Sequence, residues 1–150
     1  MFQSVMDFEI ELTANKNKLF SIATDFQIYK KLLPDNILDI QIIQQTNNQL
    51  ITEEKLIFAS VIKKEINQQS RHKITDCDVI DSEIISGPLK GSTVHAQFTE
   101  ISSGTKIAIN FELKVSLMYK ILTPLIKKYY KIILRALFYK INNIAMGNTK

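Results

Sequence analysis

The sequence predicts one α+β domain spanning residues 1–150, in which an antiparallel sheet of six or seven strands is followed by a long helix. Three observations predict this class. Apolar residues alternate with acidic ones near the N-terminus, short β-type segments separated by turn residues fill positions 37–115, and helical periodicity runs over residues 118–146. The expected order is therefore strand, short helices, strands, long helix.

The first elements are predicted from local spacing. A strand is expected where apolar residues recur with a period of two, at Met6, Phe8, Ile10 and Leu12. Thr13 or Asn15 can then cap a helix, because either side chain can accept from a free backbone N–H. The helical pattern continues to Phe26, and a second helical turn over 27–33 ends before Pro34.

The middle of the chain reads as a meander of strands. Turn signals lie at 47–49, 75–78, 87–91 and 102–104, and the clearest strands are expected over 92–101 and 105–115. In the latter strand every second residue from Ile107 to Val115 is apolar, so one face of the sheet should be buried and the other exposed to solvent.

Three segments in the right order carry a resemblance to a known family. Residues 12–34 resemble the opening of START-like polyketide-cyclase and coenzyme-Q-binding proteins; the matching positions are Ala14, Leu19-Phe20, Asp25-Phe26, Tyr29 and Leu33-Pro34. Residues 86–92, with Gly87 and Gly91, look like that family's hairpin, and residues 104–113 resemble the strand before its long helix. The resemblance implies a helix-grip fold, with a curved sheet wrapped around the C-terminal helix.

The resemblance also implies a cavity between sheet and helix that binds a hydrophobic small molecule, such as a lipid, an isoprenoid quinone, a sterol or a polyketide. The chain supplies candidates for its wall. Gln68, Ser70 and His72 share strand parity with Ile66 and Ile74, which would place a polar cluster inside. The other cavity candidates are Phe98, Phe111, Tyr129, Tyr130, Ile133 and Leu137.

The long helix is both apolar and basic. From Lys114 onward the chain has eight Lys/Arg and no Asp/Glu, whereas the preceding part has 11 Lys/Arg and 15 Asp/Glu. On a helical projection all basic side chains of this helix except Lys140 gather in a sector of about 100°; they are Lys120, Lys127, Lys128, Lys131 and Arg135. This sector could be a solvated face or could contact an anionic membrane surface. Nucleic acid is a weaker expectation, because no reader motif accompanies the basic residues.

Several classes of function are disfavoured. The chain has no Gly-x-Ser-x-Gly, His-Glu-x-x-His or phosphate-binding glycine loop, and Cys77 is its one cysteine. His72 and His95 are expected on opposite faces, so no metal site and no cofactor are predicted. The N-terminus lacks a secretory pattern, and no apolar run reaches the roughly 20 residues of a membrane span. A cytoplasmic location is expected, with peripheral membrane association as an alternative.

We therefore expect a binding or transport protein for a hydrophobic small molecule rather than an enzyme. One alternative is an aromatase/cyclase-type enzyme acting on a polyketide-like substrate, with His72 and a cavity tyrosine or Glu54 as acid–base groups, since burial would raise the pKa of that carboxyl. Another is a ribosome- or RNA-associated protein that uses the basic helix face, as some members of the same superfamily do.

Overall fold

The computed structural model describes residues 3–58 and 62–147; residues 1–2, 59–61 and 148–150 of the predicted domain lie outside the described residues. The sheet strands are β1 (Gln3–Leu12), β2 (Ile37–Gln45), β3 (Gln49–Phe58), β4 (Ile62–Thr75), β5 (Val79–Ile84), β6 (Thr93–Ile101) and β7 (Gly104–Lys114). Helices α1 (Lys16–Ala23) and α2 (Tyr29–Leu32) flank a 3₁₀ turn (Phe26–Ile28), and a second 3₁₀ turn (Leu117–Leu122) leads into α3 (Thr123–Ala145).

The seven strands form one antiparallel sheet in the order β1-β7-β6-β5-β4-β3-β2. Consecutive strands from β2 to β7 are neighbours, and β1 pairs with β7 and forms the edge of the sheet opposite β2. The curved sheet holds the core between its inner face and α3, where Ile107, Phe111 and Ile141 are completely buried. The predicted α+β architecture is confirmed.

The start of α1 is fixed by Asn15. Its side-chain oxygen accepts a hydrogen bond from the backbone N–H of Lys18 at 2.9 Å, which satisfies one of the free donors of the first turn. The backbone N–H of Ala14 donates to Oδ1 of Asn142 at 2.9 Å. This bond ties the beginning of α1 to the end of α3, so the two helices meet over the sheet.

The glycines of the predicted 87–91 turn adopt backbone conformations that other residues rarely take. Gly87 has φ 96° and Gly91 has φ 93°. A Cβ atom at Gly87 would also lie 2.9 Å from the carbonyl oxygen of Asn67. Turn geometry therefore accounts for both glycines.

The long helix begins later than its periodicity predicted. The α-helix starts at Thr123 with Pro124 in its first turn, and the 118–122 part of the predicted helix belongs to the 3₁₀ turn. Proline has no backbone N–H, and its ring would clash with the carbonyl four residues earlier, so an α-helix cannot continue through Pro124 from upstream. Lys120 consequently lies outside the helix on which the projection placed it.

The most exposed face of α3 is not the basic sector. Lys131 and Arg135 are partly buried, because both cations lie over the ring of Phe8 on β1, at 5.5 and 5.6 Å from its centroid. A stripe of large apolar residues at seven-residue intervals is more exposed; it consists of Leu125, Ile132, Tyr139 and Met146. The exposed surface of α3 therefore includes this apolar stripe as well as basic side chains.

Candidate functional site

Inward-facing polar side chains of β3, β4 and β5 form one buried cluster, because the strand register places them opposite one another. Thr52 pairs with Ser70, Glu54 with Gln68, and His72 with Ser82. Residues that share strand parity point to the same face of a sheet, so the alternation that buries Leu56 and Ile66 also turns these polar groups inward.

Glu54 is the centre of the cluster. Its side chain is buried, with 8% of the residue exposed, and Nε2 of Gln68 and Oγ of Ser70 each donate to its Oε1 at 2.9 Å. The Thr52 hydroxyl is hydrogen-bonded to Oε2. No lysine or arginine among the described residues forms an ion pair with it. Burial therefore raises the pKa of the Glu54 carboxyl, against the opposing effect of the three hydrogen bonds.

His72 extends the cluster toward β5. Its Nε2 lies 2.8 Å from Oγ1 of Thr52, its Nδ1 lies 2.7 Å from Oγ of Ser82, and its ring stacks on Phe26 with centroids 4.1 Å apart. Burial lowers the pKa of His72 to about 4, so the ring is neutral at neutral pH. Glu54, Thr52, His72 and Ser82 thus form a hydrogen-bonded chain, here called the relay.

Two cavities between the sheet and α3 meet at this cluster. Their volumes are about 140 and 160 Å³. The walls common to both are Phe26, Tyr29, Glu54, Gln68, His72, Tyr130, Leu134 and Leu137. A cavity of about 150 Å³ accommodates one benzene ring. The interior therefore offers space for about two rings around a buried polar centre.

The structure brings six of the nine predicted cavity residues to these walls. Gln68, His72, Tyr130 and Leu137 line both cavities, Ile133 lines the smaller one, and Ser70 lines the larger one. Their role in binding a ligand stays a prediction.

The other three candidates, Phe98, Phe111 and Tyr129, do not line either cavity. Phe98 packs edge-on against Phe20 and Phe138, at centroid distances of 5.1 and 6.0 Å, and so lies in the solid core. Phe111 stacks behind Tyr130 at 4.9 Å.

Tyr129 lies behind the wall of the smaller cavity, against two of its lining residues, Phe58 and Asn36. Its ring contacts Phe58 with centroids 5.2 Å apart, and its hydroxyl accepts from Nδ2 of Asn36 at 2.5 Å. For Phe98 and Phe111, strand parity predicts a side chain that points into the core. It does not predict whether that side chain borders a cavity or packs against other side chains.

Sequence reasoning missed the contribution of the segment between α1 and β2. Phe26 and Tyr29 line both cavities, and the Tyr29 hydroxyl donates to the carbonyl oxygen of Ala23 at 2.5 Å. Burial raises the pKa of Tyr29 well above its ordinary range. The family resemblance marked both positions but gave them no role in the cavity.

A larger depression, about 580 Å³, lies outside the core between α1 and the end of α3. It is lined partly by charged residues, including Asp25, Lys31 and Lys140, and the Nζ of Lys140 donates to the carbonyl oxygen of Leu32 at 2.7 Å. None of the residues that line this cleft is a buried polar group, so the interior cavities are the better candidate site.

No metal-ligating cluster and no membrane-length helix occur within residues 3–58 and 62–147. No three His, Cys, Asp or Glu side chains there come close enough to hold a metal ion, and none of the helices is long and apolar enough to cross a bilayer. His95 lies on the outer face, where its Nδ1 is 2.5 Å from Oδ1 of Asp81. It is thus separated from His72 by the sheet, as strand parity predicted.

Known proteins match this chain in fold but not in sequence. No family model and no curated protein matches the chain by sequence. Among solved structures, the Zhui aromatase/cyclase from a Streptomyces species superposes with a TM-score of 0.78 at 10% identity, covering 95% of each chain. A START superfamily protein from Mycobacterium smegmatis gives 0.70 at 14% identity, covering 95% of this chain and 98% of its own.

Norcoclaurine synthase from Thalictrum flavum, in complex with dopamine and hydroxybenzaldehyde, gives a TM-score of 0.73 at 14% identity, covering 99% of this chain and 90% of its own. Shared topology over nearly the whole length at such low identity establishes architecture and leaves the activity open. The chain has the helix-grip fold of the START-like superfamily.

Proposed function

We propose that this protein binds a hydrophobic small molecule in the space between its sheet and α3. The observation that carries the proposal is the pair of apolar cavities that meet at the buried side chains of Glu54, Gln68 and His72. Small-molecule sites typically combine an apolar wall with a few convergent polar groups.

The volume of the cavities restricts the ligand. Each cavity is smaller than the roughly 300 Å³ at which ligand pockets usually begin. A bound molecule of about two rings would therefore occupy both, and the tail of an isoprenoid quinone or a lipid would extend beyond them. The ligands named for norcoclaurine synthase, dopamine and hydroxybenzaldehyde, are compact aromatics, which supports a ligand of this size on the same fold.

A tryptophan that fills the cavities tests the proposal. Leu134 lines both cavities, so Leu134→Trp should weaken binding of the uncharged, two-ring fluorescent probe 1-aminonaphthalene by about tenfold or more, because the added ring occupies the same space. Probe fluorescence titrated against protein gives the dissociation constant.

Ile132→Trp provides the matched control, since Ile132 precedes Leu134 by two residues on α3 and is exposed. It should leave probe affinity unchanged. Overpacking costs about 1–3 kcal/mol, so circular dichroism should first establish that both variants are folded. Equal probe affinity in the two variants, or no binding to the wild-type protein, would reject the interior site.

A cyclase-type enzyme is the second candidate, and the relay favours it. Glu54 and His72 are joined through one hydroxyl, Oγ1 of Thr52, and the pKa of Glu54 is raised toward the range useful for a general base. Such a base could take a proton from carbon so that the resulting enolate closes a ring on a carbonyl and water is lost. Incubation with a linear poly-β-ketone thioester tests this reading, which fails if mass spectrometry finds no cyclised product beyond the buffer control.

We also propose peripheral contact with an anionic membrane through the segment before α3. Leu117, Met118 and Ile121 of the second 3₁₀ turn are 86%, 74% and 90% exposed, and Leu125 continues the patch onto α3. Lys120 and Lys128 are exposed in the same stretch, and the chain has no acidic residue from Lys114 onward. Exposed apolar side chains next to cations fit a negatively charged lipid surface.

Flotation with vesicles measures this contact. The double variant Leu117→Ser/Ile121→Ser should reduce binding to phosphatidylserine-rich vesicles by about tenfold or more, because two large apolar side chains no longer leave water. Ile43→Ser, at another exposed apolar position, is the control and should bind like the wild type. Equal binding by all three proteins, or salt-sensitive binding to RNA in place of vesicles, would contradict the proposal.

A further inference from the structure

One buried polar atom of the site has no hydrogen-bond partner. Gln68 is 4% exposed and lines both cavities, and its Oε1 accepts no hydrogen bond from any described residue. An unpaired buried acceptor costs free energy, and native proteins leave few of them without a water or ligand partner. This oxygen therefore identifies where the polar group of a ligand should bind.

The orientation of the Gln68 amide follows from its neighbour. Its Nε2 lies 2.9 Å from Oε1 of Glu54, which also accepts from Ser70. A carboxylate oxygen can accept these hydrogen bonds, whereas a flipped amide would set two acceptors against each other. The amide oxygen of Gln68 is consequently the group left facing the cavities.

A proton on Oε2 of Glu54, the oxygen that contacts Thr52, does not change this result. When Glu54 is ionised, Thr52 donates to Oε2, Nε2–H of His72 donates to Thr52, and Ser82 donates to Nδ1 of His72. When Glu54 is protonated, the same chain reverses, with Oε2 donating to Thr52 and Nδ1–H of His72 donating to Ser82. Both states keep Oε1 of Glu54 as the acceptor for Gln68 and leave the Gln68 oxygen unpaired.

Tyr130 provides a second polar group at the same wall. It lines both cavities, and its hydroxyl is hydrogen-bonded to the Gln68 side chain. This bond lowers the pKa of Tyr130 against the larger raising effect of burial, so the phenolic oxygen accepts from the amide N–H and Oε1 of Gln68 stays unpaired. A phenolic hydroxyl can donate as well as accept. Between Gln68 Oε1 and the Tyr130 hydroxyl, a ligand thus finds one acceptor and one group that can donate.

Resting on the proposed function, we infer that the ligand is a compact aromatic molecule bearing a hydroxyl group, which donates to Oε1 of Gln68 and accepts from Tyr130. A hydroxyl makes both hydrogen bonds at once. A quinone carbonyl or an ether oxygen can accept from Tyr130 but leaves Gln68 unpaired. Among the ligands that the cavities can hold, phenols and related alcohols should therefore bind more tightly than molecules that can only accept hydrogen bonds.

Three naphthalenes of similar size test this inference: 2-naphthol, which donates and accepts; 2-methoxynaphthalene, which only accepts; and 2-methylnaphthalene, which does neither. Displacement of 1-aminonaphthalene gives their affinities. In the wild-type protein 2-naphthol should bind about tenfold more tightly than either of the others, although it is the least hydrophobic. Gln68→Met keeps the side-chain length without the amide and should remove this preference.

Each outcome separates the inference from the proposed function. If none of the three probes binds, the interior site itself is rejected. If all three bind equally to the wild type, hydrophobic binding stands and the hydroxyl selectivity is overturned. If Gln68→Met binds and retains the wild-type preference for 2-naphthol, the assignment to Gln68 is overturned. Because the wild-type series alone can refute the selectivity, the test survives a variant that does not fold.

Discussion

Phe98→Ala is expected to lower the free energy of unfolding by about 3–5 kcal/mol, the range for removing a buried aromatic ring from a core. Phe98 is 2% exposed, and its ring makes edge-on contacts with Phe20 of α1 and Phe138 of α3. The substitution would therefore remove the group that joins both helices to β6. Urea unfolding followed by circular dichroism measures the change.

Tyr139→Ala is the matched control, because it removes an aromatic ring from the exposed face of the same helix that carries Phe138. Its effect should stay within about 0.5 kcal/mol. A loss below about 1 kcal/mol for Phe98→Ala would instead mean that the ring borders empty space, as the sequence predicted, and that the region collapses easily after truncation.

The contacts of Phe98 also show which features of the core can be predicted from sequence and which cannot. Strand parity correctly predicted that Phe98, Gln68 and His72 point inward, because the alternation of side chains along a strand depends only on local spacing. Whether an inward side chain meets another side chain or a cavity depends on Phe20 and Phe138, which lie far away in sequence. Depth within the core is a tertiary property, and no local pattern encodes it.

The elements that could be predicted are those with local causes. The cap at Asn15, the glycine turn at 87–91 and the alternation in β1 and β7 each depend on neighbouring residues. The start of α3 was predicted too early, although Pro124 is itself a local signal for the beginning of a helix.

The relay required the strand register as well as the strand faces. Parity with Ile66 and Ile74 placed His72 on the inner side, but parity alone left open whether Glu53 or Glu54 faces inward. The connection of Glu54 to His72 through Thr52 depends on how β3 and β4 are aligned. A slip of one residue in that register would turn one set outward. The polar cluster was therefore predictable as residues facing one side, and not as a hydrogen-bonded chain.

The second large expected effect is a loss of stability in acid caused by His72. Its pKa is lowered to about 4 in the folded protein, against an ordinary value of 6.5, because burial disfavours the imidazolium. Between these values the unfolded chain binds a proton that the folded chain does not. The stabilising contribution is thus complete above about pH 6.5 and is lost as pH falls through about 4, by roughly 3 kcal/mol in all.

Titration of Glu54 changes the stability of the fold with pH in the opposite direction to titration of His72. Because burial raises its pKa in the folded protein, its contribution is complete below the unfolded value and is lost as pH rises through the folded one. Protonation of Glu54 therefore offsets part of the acid loss in the wild-type protein. Single variants are needed to separate the two groups.

Urea unfolding of His72→Gln across the acid range should show a much weaker decline in stability than the wild type, while Glu54→Gln should keep the acid decline and stabilise the protein at higher pH. An acid profile of His72→Gln identical to that of the wild type would mean that the ring titrates freely. In that case the relay could not be the water-excluded centre on which a selective interior site depends.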